Sequence, residues 1–294
     1  MILKSPIVLS FLAYSSFAMM DVINKFLFSS YMVGFFQYML LLDLAIILFI
    51  FMIGFLSFKQ SFKFLYPKNI KGITIRSVIS VINTLCSLVA ISYLPFHLFY
   101  TLAFLQPIFV VIFASMFGLE KLNFKKILII ILGFSGILIS IEFWHQSFSN
   151  IQIIGILGGL GIGISGALSG IVVKKYLKDE NITTIGIYNI LLSILVASIY
   201  LLIKQENPFI NLEINFILLI MFAGLFCCLG ILFFMKSYQG GYINSIAILQ
   251  YTQILWGVVF GYILFQSIPN IYAISGAVII IMANLLNLKT QSSK

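Results

Sequence analysis

Six polar side chains stand inside otherwise apolar runs: Asp43, Asn83, Gln106, Asn189, Gln250 and Gln253. A polar or ionisable group in hydrocarbon is costly, so each one asks for a partner, a substrate or a proton. Gln250 and Gln253 are three residues apart and Gly257 follows four later, the i, i+3, i+7 spacing that puts all three on one helix face. An uncharged amide both donates and accepts, so it can hold a zwitterionic or polar metabolite without fixing its net charge. Amides also join helix to helix, at about 0.6 kcal/mol per contact, and for any single residue the two readings weigh equally. Tyr100, Tyr251 and Trp256, near the glutamines in the chain, could stack on a planar or cationic group.

Two carboxylates are candidates for coupling. Asp43 has no basic residue within a turn or two of it. Left ionised in lipid it would cost about 2.5 to 3.5 kcal/mol, so it must turn inward to a polar partner or take up a proton. A protonatable group at that depth could carry a proton through a transport cycle; a neutral acid bonded to a neighbouring helix is the alternative. Asp21 stands four residues before Lys25, and an ion pair with that snorkelling lysine explains it economically. Pro107 removes a backbone donor and Gly257 permits close approach, and both suit helices that flex. No nucleophile elbow, phosphate-binding glycine loop or zinc spacing occurs in the sequence, so neither catalysis nor a cofactor or metal is expected. His97 and His145 stand alone in loops and read as solvated surface.

The elements that must carry these groups are membrane helices. Hydrophobic residues make up 62% of the 294 and charged residues only 9%, which excludes an apolar core wrapped in a polar surface. Ten apolar segments run over about 6–28, 32–56, 74–93, 97–118, 124–143, 151–173, 183–203, 214–235, 243–265 and 270–287. Each is within the roughly 17 to 25 residues that cross a bilayer as a helix. None alternates as a barrel strand would. The first run follows Lys4 and is too long for a signal peptide, so it reads as the first helix. Cys86, Cys227 and Cys228 all fall inside segments and read as small packing residues. Gly155, Gly159 and Gly163, then Gly166 and Gly170, recur at four-residue spacing and read as a close-packing face.

The chain echoes itself. The stretches Ala103 to Asn123 and Gln250 to Asn270 match at Gln106 with Gln253, Val111 with Val258, Phe113 with Phe260 and Asn123 with Asn270, all 147 residues apart. Ser92-Tyr93 recurs as Ser237-Tyr238, and DVINKFL at 21–27 resembles IVVKKYL at 171–177. A duplication of five helices forces the second copy to run through the membrane in the opposite sense, so the expected fold is all-α, with two inverted repeats over 1–147 and 148–294 in one membrane domain. Transporters use such repeats to build a substrate site near the midplane. With both termini cytoplasmic, 15 of the 17 basic residues lie on the inner side, Arg76 among them, leaving Lys25 and Lys204 outside. The net charge of +9 therefore orients spans and implies no nucleic-acid partner.

The DVINKFL end of the first helix, Arg76 opening the third, the turn SYLPFH, Gln106-Pro107, Glu120 and Gly276 together resemble the EamA family of the drug/metabolite transporter superfamily. MMDVINKFL and YAISGAVIII are most similar to S-adenosylmethionine uptake carriers within it. The chain departs from the family at Gln37, where an arginine is common, and at Ile254 and Ser267. The resemblance implies ten helices with cytoplasmic ends and transport of small metabolites.

The expected function is a secondary carrier in a bacterial inner membrane. It would move a small polar or amphipathic metabolite, S-adenosylmethionine or amino-acid-like, by rocking one five-helix repeat against the other. A lipid-handling enzyme or a scaffold is the alternative, and a channel a third choice. The partners implied are the small-molecule substrate and the lipid bilayer; a homodimer is left open.

Overall fold

A computed structural model describes residues 5–31, 33–57, 62–94, 99, 102–119, 124–140, 150–209, 213–241, 243, 246, 248–265 and 270–292. Among them every regular element is helical and none is a strand. The α-helices are α1 (Pro6–Ser30), α2 (Phe35–Ser57), α3 (Ile70–Tyr93), α4 (Gln106–Met116), α5 (Phe124–Ser140), α6 (Asn150–Tyr176), α7 (Ile182–Lys204), α8 (Ile214–Gly240), α9 (Thr252–Phe265) and α10 (Ile271–Ser292). Six of these, α1, α2, α3, α6, α7 and α8, are long and apolar enough to cross a membrane.

Local chemistry sets several boundaries. Pro6 opens α1 where its missing N–H costs nothing. Asn69 and Asn181 cap α3 and α7 through their side-chain oxygens, which accept from the backbone of Gly72 and Thr183. Gln205 ends α7 in the left-handed region, with φ 55°. The Asn69 cap starts α3 at Ile70, earlier than the apolar run suggests, and this draws Arg76 inside the helix. The expected fourth span is broken: Leu102 and Ala103 are helical, Phe104 and Leu105 turn, and α4 restarts at Gln106. Pro107 thus sits in the first turn of a helix rather than in its middle, where it leaves fewer bonds unmade. The expected ninth span is divided too, into a 3-10 turn at Ile248–Tyr251 followed by α9.

Packing runs mostly between the two halves of the chain. The helix α3 lies along α6 and α1 along α8; α4 packs on α6 and α9 on α1; α7 packs on α3 and α2 on α8. Two four-helix bundles result: α3, α4, α6 and α7, and α1, α2, α8 and α9. They meet where α2 crosses α7 and where α6 touches α8, while α5 and α10 pair with each other. The glycine face of α6 packs as its spacing predicts. A Cβ on Gly159 would stand 2.6 Å from Leu102 Cδ1, and one on Gly155 2.8 Å from Leu94 Cγ. Cys227 and Cys228 are buried and, with Cys86, carry free thiols.

The outer surfaces are apolar. On α7, Leu191, Leu195 and Ile199 form an exposed i, i+4, i+8 stripe, and on α2 Leu48 and Met52 do the same. Such stripes suit contact with lipid tails and are unfavourable in water. With six apolar helices long enough to span, the chain is an integral membrane protein.

Candidate functional site

A cavity of about 220 Å³ lies between the two bundles. Its wall takes Asp21 and Asn24 from α1, Asp43 from α2, Arg76, Ser80, Asn83 and Thr84 from α3, Gln106 from α4, Asn189 and Ser193 from α7, and Gln250 and Gln253 from the chain around α9. The α3 residues Arg76, Ser80, Asn83 and Ser87 follow i, i+4, i+7, i+11 and form one polar face. Buried polar groups need partners, and most of these have them.

Asp43 turns inward, as lipid exposure demands, and its Oδ2 accepts a hydrogen bond from the Ser193 hydroxyl. One turn away on α7, the Asn189 side-chain oxygen accepts from Ser77 Oγ at 2.9 Å. Asn24 Oδ1 accepts from the Tyr38 hydroxyl. Asn83 donates through Nδ2 to Ser165 Oγ at 2.8 Å and to the Ile162 carbonyl at 3.2 Å, so its donors join α3 to α6. Gln106 is buried against α6, where only Gly166 leaves room: a Cβ there would lie 2.4 Å from Gln106 Oε1. Its Nε2 points to the Tyr14 hydroxyl at 3.5 Å.

Gln250 has a structural task. Pro107 has no N–H to give the carbonyl four residues before it, that of Ala103. Gln250 Nε2 takes the place of that donor, at 3.1 Å from the Ala103 oxygen. Its own Oε1 stays buried without a partner. Gln253 is buried in the same wall.

Other expectations need correction. Trp256 is outside the cavity wall; its indole N–H bonds Ser15 Oγ at 3.0 Å and its ring stacks with Phe260, which fixes α9 on α1. Lys25 does not reach Asp21. Its ammonium turns to the Ile91 carbonyl at 3.5 Å, in the last turn of α3, while Asp21 is buried in the cavity wall. The last carbonyls of a helix lack intrahelical partners and attract a cation. Tyr100, and the surroundings of Tyr251 and Gly257, lie outside the described residues, as do His97, His145 and Glu120.

Arg76 is the residue that sequence reasoning misplaced. It is 6% exposed, lines the cavity, and its Nε and Nη1 have no hydrogen-bond partner. The chain has sixteen lysines and this one arginine. That asymmetry was the available signal, because arginine is the weakly hydrated cation that tolerates burial.

Two lysines join helix ends. Lys25, near the end of α1, meets the last turn of α3; Lys174, near the end of α6, donates to the Gly241 carbonyl at 2.7 Å, just past α8. Beside Lys174, Gln239 Nε2 donates to the Leu177 and Glu180 carbonyls at 2.9 and 2.7 Å. At the other end Gln37 Nε2 bonds the Pro208 carbonyl at 2.9 Å and Phe36 stacks on Tyr200 with ring centroids 3.7 Å apart.

Known proteins share this architecture. One solved structure, titled only as a crystal structure of a protein, superposes with a TM-score of 0.74 over 97% of this chain and 96% of its own, at 11% identity. That likeness concerns the fold alone. The pseudopaline exporter CntI of Pseudomonas aeruginosa (strain UCBPP-PA14) is 22% identical over 232 residues, 78% of either chain. The uncharacterized transporter YvbV of Bacillus subtilis (strain 168) is 25% identical over 212 residues, 70% of this chain and 68% of its own. The family model that matches is the EamA-like transporter family, over residues 153–289 in the second half of the chain.

Proposed function

We propose that the protein is a secondary transporter that carries a small polar metabolite across a bacterial inner membrane by alternating access to the central cavity. The observation that carries this reading is the cavity itself: carboxyl, guanidinium, amide and hydroxyl groups from both bundles converge in a protein whose outer faces suit lipid. Relatives named as transporters support it.

Ten membrane crossings in two inverted repeats fit the helix register. The starts pair as Pro6 with Asn150, Phe35 with Ile182, Ile70 with Ile214, Gln106 with Thr252 and Phe124 with Ile271, each 144 to 147 residues apart. Exchanging each helix with its counterpart turns α3 on α6 into α8 on α1, α4 on α6 into α9 on α1, and α7 on α3 into α2 on α8; every one of these packings occurs. The Gln250–Ala103 bond joins residues 147 apart, the offset of the repeat. Lys25 and Lys174 make equivalent contacts near the ends of paired helices, α1 to α3 and α6 to α8.

This packing changes the moving parts. Because the halves interlock, five-helix repeats cannot rock as separate bodies. The bundles α3, α4, α6, α7 and α1, α2, α8, α9 are the bodies, turning about the α2–α7 crossing so that one lysine latch opens as the other holds. With both termini cytoplasmic, the Lys174 latch is the inner one and the Lys25 latch the outer. The cavity volume is below the roughly 300 Å³ of drug-sized pockets, which favours an amino-acid-like solute over one as large as S-adenosylmethionine.

Counterflow tests this: purified protein in proteoliposomes preloaded with unlabelled amino acids or S-adenosylmethionine should accumulate the labelled form transiently. Equal traces in loaded and empty vesicles, across the whole panel, would count against transport of these solutes.

A further inference from the structure

The cavity contains buried hydrogen-bonding groups that the protein leaves unmet, and their types are complementary to one kind of solute. On the α3–α7 wall, Arg76 Nε, Arg76 Nη1 and Asn189 Nδ2 have no partner, and all three are donors. Arg76 and Asn189 both line this cavity, and the Ser77–Asn189 bond joins α3 to α7 beside it, leaving the Asn189 amide nitrogen free to donate. In the same cavity, Gln250 Oε1 is an unmet acceptor among the described residues, and Asp43 Oδ2 accepts from the Ser193 hydroxyl. Unmet buried groups are a standing cost that a ligand of opposite character removes.

We propose that Arg76 and Asn189 form a carboxylate subsite in this cavity, and that the solute is an amino-acid-sized zwitterion whose ammonium group faces Asp43 and Gln250. This rests on the transport reading above. A guanidinium with adjacent free N–H groups matches a carboxylate in a fork-to-fork geometry, which lysine does not offer. The sixteen other cations of the chain are lysines, and the only arginine is this buried one. Phosphorylated solutes suit the cavity poorly, because Asp21 and Asp43 also line it and would repel a dianion. Ser193 and Asn189 are one turn apart on α7, so the Asn189 donor and the Asp43 carboxylate held by Ser193 line the cavity about 6 Å apart along that helix. That separation is on the scale of a small zwitterion.

Because Arg76 is the sole arginine, phenylglyoxal reports on this site alone. The test is the rate of the arginine adduct, read by intact mass on the full chain in nanodiscs, with Arg76→Lys as the blank. Neutral amino acids are added individually, each beside its primary amide, which keeps the ammonium and lacks the carboxylate. At least one amino acid should slow modification several-fold while its amide does not, and Asp43→Asn should weaken that protection. Equal protection by acid and amide, or protection by none, overturns the proposal. So does a wild-type protein that forms no adduct, since a subsite used in transport must open to one side. Failure of the transport reading looks different: protection would hold for an amino acid that shows no counterflow.

Discussion

Among the amides of the site, Gln250 and Gln253 are three residues apart and do different work. Replacing Gln250 by leucine strips the Ala103 carbonyl of its donor, and an unmet buried carbonyl costs about 1 to 3 kcal/mol. Gln250→Leu should therefore lower the melting temperature of the detergent-solubilised protein. Gln106→Leu and Gln253→Leu should instead leave melting nearly unchanged and reduce counterflow by about tenfold, the consequence of roughly 1.4 kcal/mol of lost contact. Uniform melting and uniform transport across the three would remove the distinction. Asp43→Asn belongs at this scale as well. It keeps a hydrogen-bond acceptor for Ser193 and removes the proton site, so accumulation driven by a pH gradient should be lost while exchange at equal pH continues. Gradient-driven uptake that survives intact would move coupling elsewhere. The inward turn of Asp43 could be read from its isolation in an apolar run. The burial of Arg76 could not, because a base close to a predicted helix start resembles the lysines that set orientation, and the Asn69 cap puts it almost two turns inside the helix.

At the scale of helices, two latches meet two different carbonyl ends. The Lys174 contact is 2.7 Å and is flanked by the Gln239 bonds, whereas the Lys25 contact is 3.5 Å. Lys174→Gln should release the α6–α8 end, and Lys25→Gln the α1–α3 end. A single cysteine placed at Ser80, in a background without the native cysteines, reads the outcome. With an impermeant thiol reagent, the first variant should raise labelling from one face of the membrane and the second from the opposite face. If both raise labelling from the same face, the latches do not sit at opposite ends. The helix register was largely legible in the sequence, since apolar length fixes spans closely. The break before α4 was less so: Pro107 announces a disturbance, but whether it falls within a helix or before one depends on where the freed Ala103 carbonyl finds a donor, and that donor is 147 residues away.

For the molecule as a whole, orientation follows from the distribution of lysine. Removing Arg76 from the count of surface bases leaves the bias intact, because the remaining inner bases are lysines in loops and at helix ends. A cysteine near Lys178 should be shielded from the impermeant reagent in intact cells, and one near Asn207 should label; both positions are exposed. The reverse pattern would turn the molecule over and exchange the inner latch for the outer. A duplication could be suspected from scattered identities, but the packing of first-half helices on second-half helices could not, since sequence similarity says nothing about which helix another packs on.

Interlocking also has a consequence during synthesis. The helix α1 leaves the ribosome long before α8 and α9 exist, and α3 before α6 and α7. At roughly 5 to 20 residues per second the second half follows the first by roughly seven to thirty seconds, for an offset of 147 residues. Through that interval Asp21, Asp43 and Arg76 are made but their wall is not, so the nascent first half must keep them in the insertion machinery, at the interface or against one another. The protein therefore cannot mature helix by helix: its polar interior closes only when the second half arrives.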